Sequence, residues 1–389
     1  MRHSFDVVIV GGGLVGLSLA SALAGSGLAA ALVETQVPGA IPGEDAWDNR
    51  IYAVSPGCAS FLERCGAWER LPQDRLTRIE AMRVYGDDAG TCLEFSAYDA
   101  GLRELAFVVE SRRLQHALWE TVRGQDVRFF CPASWTALEL HDERAVLRLD
   151  DGVELEARLV AGADGSESRV RAAAGIAAAP AEYGQLGVVA NFSCERPHRG
   201  HAFQWFMRDG VLALLPLPGN RVSMVWSIEQ QRGRSLLALP AAELATEVES
   251  ASRATLGGMR LMAPAAAFPL KLARVAQFTK ARVALVGDAA HNVHPLAGQG
   301  VNLGFRDARE LARVLVERGP QRDCGDHALL RRYERARRED VAAMQLTTDG
   351  LQKLFNNDAV LLSRTRNLGL EFVNRQPWLK NFLVHHAVA

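Results

Sequence analysis

The chain has 389 residues, 48% of them hydrophobic and 23% charged, which is more apolar side chain than a single core usually holds, so two domains are expected. Lys and Arg total 44 against 45 Asp and Glu, for a formal net charge of -1, so no global field draws the protein to nucleic acid or to an anionic surface. The 6 cysteines include no C-x-x-C pair and no histidines stand near them at ligand spacing, so no disulfide framework and no metal site is indicated, and a reduced, cytoplasmic compartment fits.

The amino end divides into strand, turn, helix and strand. Val7 to Val10 is an apolar run of strand length, Gly11, Gly13 and Gly16 form G-x-G-x-x-G, Leu14 to Ala24 reads as a helix, and Ala29 to Val33 reads as a second strand ending at Glu34. In that context the glycines admit a pyrophosphate to the helix N-terminus and Glu34 accepts the ribose hydroxyls of an ADP-containing cofactor, FAD or NAD. Arg2, the apolar run and Ala22-Leu23-Ala24 imitate a secretory signal, but Asp6 inside the apolar run argues against one.

Residues 36–47 are rich in Pro and Gly and are expected to form a surface loop, followed by the segment Asp48-Asn49-Arg50-Ile51-Tyr52-Ala53-Val54-Ser55. A helix is expected over 58–70 and short strands over 78–95, and then a helix from Ser111 to Val122 that carries Arg112 and Arg113 ahead of an apolar face. Alternation over 127–163 predicts a small antiparallel sheet. It leads into Gly162-Ala163-Asp164-Gly165-Ser166-Glu167-Ser168-Arg169-Val170-Arg171. From about Tyr183 to Ala273 a second antiparallel sheet is expected, with strands at Phe203 to Phe206, Val211 to Leu217 and Arg221 to Ile228.

Val283 to Val286 is a short buried strand closed by Gly287 and Asp288, a carboxylate at the strand end where open α/β sheets bind ligands. Pro295 then breaks the backbone, and Gly298 and Gly300 are expected to form a turn that approaches a flat ligand, ahead of Val301 and Asn302. Leu303, Ala308, Leu311, Ala312 and Leu315 recur at helical spacing, so a helix N-terminus faces whatever the loop holds. The charged run Arg331 to Asp340 reads as one solvated helix face, and Leu351 to Val384 reads as amphipathic helices with apolar runs too short to span a membrane.

Three strings in this order, G-x-G-x-x-G, G-A-D-G-x-x-S-x-V-R and GD-AAH-x-x-x-P-x-x-G-Q-G-x-N-x-G, resemble the class A FAD-dependent aromatic hydroxylases, the para-hydroxybenzoate hydroxylase superfamily. The wording is most similar to the ubiquinone-biosynthesis hydroxylases. The resemblance implies an α/β fold: a Rossmann-like FAD-binding domain with an inserted antiparallel-sheet substrate domain and C-terminal helices. The expected domains are 1–75, 106–180 and 274–320 for FAD, 76–105 and 181–273 for substrate, and 321–389 for the helical region. It implies FAD contacts at Gly11, Gly13, Gly16, Glu34, Arg50, Asp164, Gly165, Asp288, Pro295, Gly298, Gly300, Val301 and Asn302, and one at the start of the 111–122 helix, taken as Arg112 with Ser111 and Arg113 as the alternatives. Trp205, Phe206, Leu214, Pro216 and Trp226 are expected to wall the substrate, and His294, or His291 beside the same loop, to position or deprotonate a phenol. NADH or NADPH as transient donor, O2, and an aromatic, prenylated substrate complete the implied reaction. A hydroxylase of a soluble aromatic and a non-enzymatic FAD-binding subunit are the alternatives. A flavin halogenase is disfavoured, because Trp226-Ser227-Ile228 is as near as the chain comes to W-x-W-x-I. A greasy substrate also implies peripheral membrane or complex docking by the tail. The ending His385-His386-Ala387-Val388-Ala389, without the group's Gly-rich terminus, departs there, and the oligomeric state, a homo-oligomer included, is left open.

Overall fold

The computed structural model describes residues 1–41, 43, 46–86, 92–207, 209–291, 299–319 and 321–355. The run Val7 to Val10 is at most 4% exposed because the strand Arg2–Val10 lies inside a sheet, with Ala30–Val33 on one side and Glu154–Gly162 on the other. Parallel strands covered on both faces need continuous apolar residues, and this one has them. The sheet order is Thr279–Lys280, Val283–Leu285, Glu154–Gly162, Arg2–Val10, Ala30–Val33, Val127–Phe130, and all neighbours but the first two are parallel. Of the antiparallel sheet expected over 127–163, Ala145–Leu149 pairs onto the first half of Glu154–Gly162 and Trp135–Leu140 onto Ala145–Leu149, whereas Val127–Phe130 is a parallel edge strand beside Ala30–Val33. The first helix, Leu14–Leu23, packs against both Ser111–Arg123 and Gln299–Val316, which brings three distant stretches of sequence over one turn.

The second sheet runs Met259–Leu261, Ala178–Cys194, Arg221–Glu229, Gly210–Leu217, His201–Met207, Ala81–Tyr85, Cys92–Ser96, with Ala266–Val275 also on Ala178–Cys194. It is antiparallel except where His201–Met207 meets Ala81–Tyr85. Successive side chains alternate in face. Ala190, Phe192, Leu212, Met224 and Ile228 point one way, into a core closed by Leu236, Leu244 and Val248 of the helices Gln230–Ala238 and Ala241–Ala251. The other face turns toward the first domain. There Ala202, Leu215 and Leu217 pack with Ile51, Ile79 and Val108 of a small sheet formed by Ile51–Val54, Ala106–Glu110 and Thr77–Ile79.

The long helix His327–Phe355 corrects one expectation. Arg331, Arg332, Arg335, Arg338 and Glu339 are solvated as expected, but Tyr333, Glu334 and Arg337 of the same run are buried. Helical geometry turns those positions inward against Gln299–Val316 and the strand Thr279–Lys280. Glu334 accepts from Thr279 Oγ1 at 2.9 Å, and Tyr333 donates its hydroxyl to Leu285 O at 2.8 Å. No helix among the described residues is long and apolar enough to cross a membrane. The expected tail helices with Leu361, Leu362, Phe372, Trp378 and Phe382 lie outside the described residues.

Candidate active site

The glycine turn after Val10 is built by close approach. Gly11 has φ +110° and a Cβ there would overlap the Ala163 carbonyl, while a Cβ on Gly16 would overlap the Gly11 carbonyl. Neither position admits a side chain. Gly13 is different, since a Cβ there meets nothing within 4 Å. Gly13 is the N-cap of Leu14–Leu23, with no side-chain cap and no acidic residue in the first turn, so this N-terminus presents its donors to open space. Glu34 ends the neighbouring strand, and its carboxylate accepts from Gly12 N at 2.5 Å and Thr35 N at 2.7 Å, which fixes it beside the turn. Gln115 of Ser111–Arg123 also reaches this turn, donating from Nε2 to Gly12 O at 3.2 Å, a contact the sequence reading did not name.

Arg50 is exposed at the rim, its guanidinium 5.5 Å from the centre of the Tyr52 ring. Burial raises the Tyr52 phenol above its usual range, and Arg50 opposes the shift. A carboxylate network holds the Arg50 segment in place. Asp48 accepts from Arg50 N and Arg112 N, both at 3.0 Å, and its own amide donates to Glu110 at 2.9 Å. Glu110, 1% exposed, also receives Arg75 on both oxygens at 2.9 Å and Arg113 at 2.8 Å. Buried Asn191 of the second sheet donates to Asp48 O at 3.0 Å and so ties the two domains at this point. Of the arginines expected at the helix start, the Arg112 side chain is 60% exposed and comes no nearer Asp48 than 4.0 Å, so the contact it makes here is through its amide.

Asp164 follows the strand Glu154–Gly162 and accepts from Val170 N at 3.0 Å through Oδ2, in the first turn of the helix Arg169–Ala173 that Ser168 caps. Its Oδ1 is buried without a partner, an unusual state for a carboxylate oxygen. Gly165 beside it has φ +80° and open space above. Arg171 bridges from Ser166 O at 2.8 Å to Ala289 O at 3.0 Å, which joins this motif to the turn that carries Asp288.

Asp288 sits in the tight turn Gly287–Ala289 at the end of Val283–Leu285. Its surface opens to the cleft, yet protein packed around the carboxyl raises it above the ordinary carboxylate range, with His291 and Arg50 opposing. Gly287 packs on the first helix, as does Gly304, where a Cβ would fall within 2.5 Å of Val15 Cγ2. The N-terminal glycine turn and the Asp288 turn are therefore neighbours across Val15.

Gly300, Val301 and Asn302 lie inside the first turn of Gln299–Val316, not in a loop before the helix as the glycine spacing suggests. The Asn302 side chain ties this helix to the end of the strand Ile51–Val54: it accepts from Ser55 N at 2.9 Å and donates to Ala53 O at 2.8 Å. His294, Pro295 and Gly298 lie outside the described residues. His291 is 2% exposed and bonded to Asp307, so it has no open path by which to take a proton from a phenol.

Strand alternation corrects the substrate wall. Trp205, Leu214 and Trp226 belong to the core under Gln230–Ala238 and Ala241–Ala251, and Pro216 shares the Leu214 face, so these four point away from the first domain. Phe206 is on the other face but is buried with Val84, Leu93 and Val211. The half-buried apolar residues on the side facing the first domain are Ala213, Leu215 and Val225, near Gly187 and the exposed Phe268.

An open, uncapped helix N-terminus at Gly13, the orphaned Asp164 Oδ1 and the cleft-facing Asp288 together fit an extended dinucleotide with a hydroxylated linker. The comparisons agree. The FAD binding domain family matches residues 4–348. The chain is 38% identical over 387 residues to ubiquinone hydroxylase UbiL of Rhodospirillum rubrum, covering 98% of this chain and 89% of that one. It is 35% identical over 385 residues to 3-demethoxyubiquinol 3-hydroxylase of Escherichia coli, covering 98% of each. The crystal structure of P. aeruginosa PqsL in complex with 2-aminobenzoylacetate superposes with a TM-score of 0.79 at 23% identity, over 95% of this chain and 100% of that one. The chain belongs to the FAD-binding family of flavin-dependent hydroxylases and is an FAD-dependent monooxygenase.

Proposed function

We propose that this monooxygenase hydroxylates the phenolic ring of a prenylated ubiquinone precursor, with NADH or NADPH as electron donor and O2 as oxidant. The observation that carries the reading is the face of the second sheet turned to the first domain. From Asn191 to Gly187 and across to Ala213, that face holds Val189, Ser223, Val225 and Leu215, with no charged side chain among these residues. A wall of small apolar and uncharged polar side chains suits an aromatic ring that carries a greasy chain. The names of the relatives point to the same substrate class.

Bound FAD supplies the two-electron chemistry that accepts a hydride from the nicotinamide and activates O2. In the overall balance one oxygen atom becomes the ring hydroxyl, the other leaves as water, and the nicotinamide is oxidised. The protein's share is binding and shielding. Gly13 and the helix behind it take the pyrophosphate, Glu34 and Asp288 accept hydrogen bonds from ribose and ribitol hydroxyls, and Asp164 Oδ1 gains the donor it lacks. Asn302 holds the Ile51–Val54 strand against Gln299–Val316 so that the cleft keeps its shape and stays dry. We extend the proposal to peripheral contact with the membrane that holds such a substrate, read out by flotation with liposomes.

The test is deletion of the gene and profiling of lipid quinones. Accumulation of a prenylated ring lacking one hydroxyl, reversed by complementation, supports the proposal; an unchanged quinone profile overturns it.

A further inference from the structure

Beneath the turn that carries Asp288 lies a carboxylate with no solvent contact. Asp307, on Gln299–Val316, is 0% exposed and receives donors from three places. Gly287 N reaches Oδ2 at 2.9 Å, His291 Nε2 reaches the same oxygen at 2.5 Å, and Arg337 Nε of the C-terminal helix reaches Oδ1 at 2.8 Å. Gly287 immediately precedes Asp288, and the His291 amide returns to Gly287 O at 3.0 Å, so Asp307 grips both ends of the segment that holds Asp288. Burying a carboxylate and a guanidinium costs more than packing apolar residues of the same volume, so this set is not explained by packing alone. Its hydrogen bonds go to the backbone and side chain of the ligand-bearing turn.

We propose that Asp307 is a positioning residue for the cofactor: it fixes the Gly287–His291 turn so that Asp288 meets the ribitol hydroxyls, while Arg337 Nε holds its other oxygen. The inference rests on the reading of Asp288 as an FAD ligand. It also makes His327–Phe355 part of the machinery of the flavin site, acting through Arg337 and Asp307.

The experiment compares full-length wild type, Asp307→Asn, and Asp307→Asn combined with Arg337→Met, measuring thermal midpoint, FAD affinity by fluorescence, and visible circular dichroism of the bound flavin. A hydrogen bond to a charged acceptor sets the scale, so Asp307→Asn is expected to bind FAD about tenfold more weakly or worse, with an altered flavin dichroism. The double variant removes the buried guanidinium that has lost Asp307 and keeps only Asp340 as its acid partner, and it is expected to recover thermal midpoint but neither FAD affinity nor the dichroism. Recovery of all three, or wild-type FAD binding by Asp307→Asn, overturns the proposal. Should Asp307→Asn not fold, His291→Gln leaves the Asp307–Arg337 pair intact and carries the test: weaker FAD and a changed dichroism are expected, and wild-type values for both overturn the inference. Wild type that takes up no FAD would instead defeat the reading of Asp288 on which it rests.

Discussion

Gly13 and Gly16 stand in one turn and answer to different constraints. Gly16 is required by the fold, because its missing Cβ is the space in which the Gly11 carbonyl sits, whereas Gly13 has room on the protein side and is required only by what approaches it. Gly16→Ala is therefore expected to destabilise the apoprotein by about 1–3 kcal/mol or more, the cost of overpacking a rigid contact. Gly13→Ala is expected to leave apoprotein unfolding within about 0.5 kcal/mol of wild type, as for a surface change, and to weaken FAD binding. Thermal melts and flavin fluorescence titrations on both variants separate the roles.

Asp307 adds a pH signature at the same scale. Burial pushes its carboxyl up, but His291 and Arg337 outweigh that and hold it below its ordinary value. A depressed carboxylate contributes stability that is present at neutral pH and lost as pH falls through and below the ordinary carboxylate range near ~4. Urea midpoints across pH are expected to show wild type well above Asp307→Asn at neutrality, by about 3–5 kcal/mol for a broken buried pair, with the gap closing in acid.

Among elements, the second sheet shows where reading a sequence succeeds and where it stops. Its strands were legible from their apolar runs and from the turns at Asp209-Gly210 and Pro218-Gly219-Asn220. Their facing was not, because residues on both faces are buried: one face is covered by Gln230–Ala238 and Ala241–Ala251, and the other, with Asn191, Gln204, Ser223 and Ser227 buried among its apolar residues, meets the first domain. The large aromatics Phe203, Trp205 and Trp226 lie in the core under the helices, and the smaller Ala213 and Val225 are left at the cleft. Val225→Trp is accordingly expected to abolish substrate-stimulated NAD(P)H oxidation while FAD binding persists. Trp226→Phe, one residue on and on the opposite face, is expected to shift the melting temperature and leave the substrate KM unchanged. Steady-state kinetics with both variants check the assignment, and the reverse pattern would place the cleft on the other side. The helix His327–Phe355 carries the same lesson in another form: Arg337 reads as one more charge in a charged run until its partner, Asp307, folds against it.

Across the whole molecule, the glycine turn, the Asp164 turn and the Asp288 turn were legible because each is local chemistry written at short spacing. What joins them was not. Glu110 is 62 residues from the Asp48 amide it accepts and 35 from Arg75, and Asn302 is 247 residues from the Ser55 amide, so nothing in the local pattern marks them as partners. These long-range bonds set the cleft between the two sheets. Arg75→Met leaves Glu110 with one cation fewer in a buried site and is expected to cost about 3–5 kcal/mol of folding stability, read from urea unfolding.

The central claim is that one cleft binds FAD and a phenolic ring together and passes an oxygen atom from O2 to that ring. The most direct measurement supplies purified holoprotein with NAD(P)H, a prenylated phenol and isotopically heavy O2, and follows the product by mass spectrometry. One heavy oxygen atom in the ring hydroxyl, with none taken from water, is the expected result. NAD(P)H oxidation that ends only in hydrogen peroxide, or a product oxygen that comes from solvent, would contradict it.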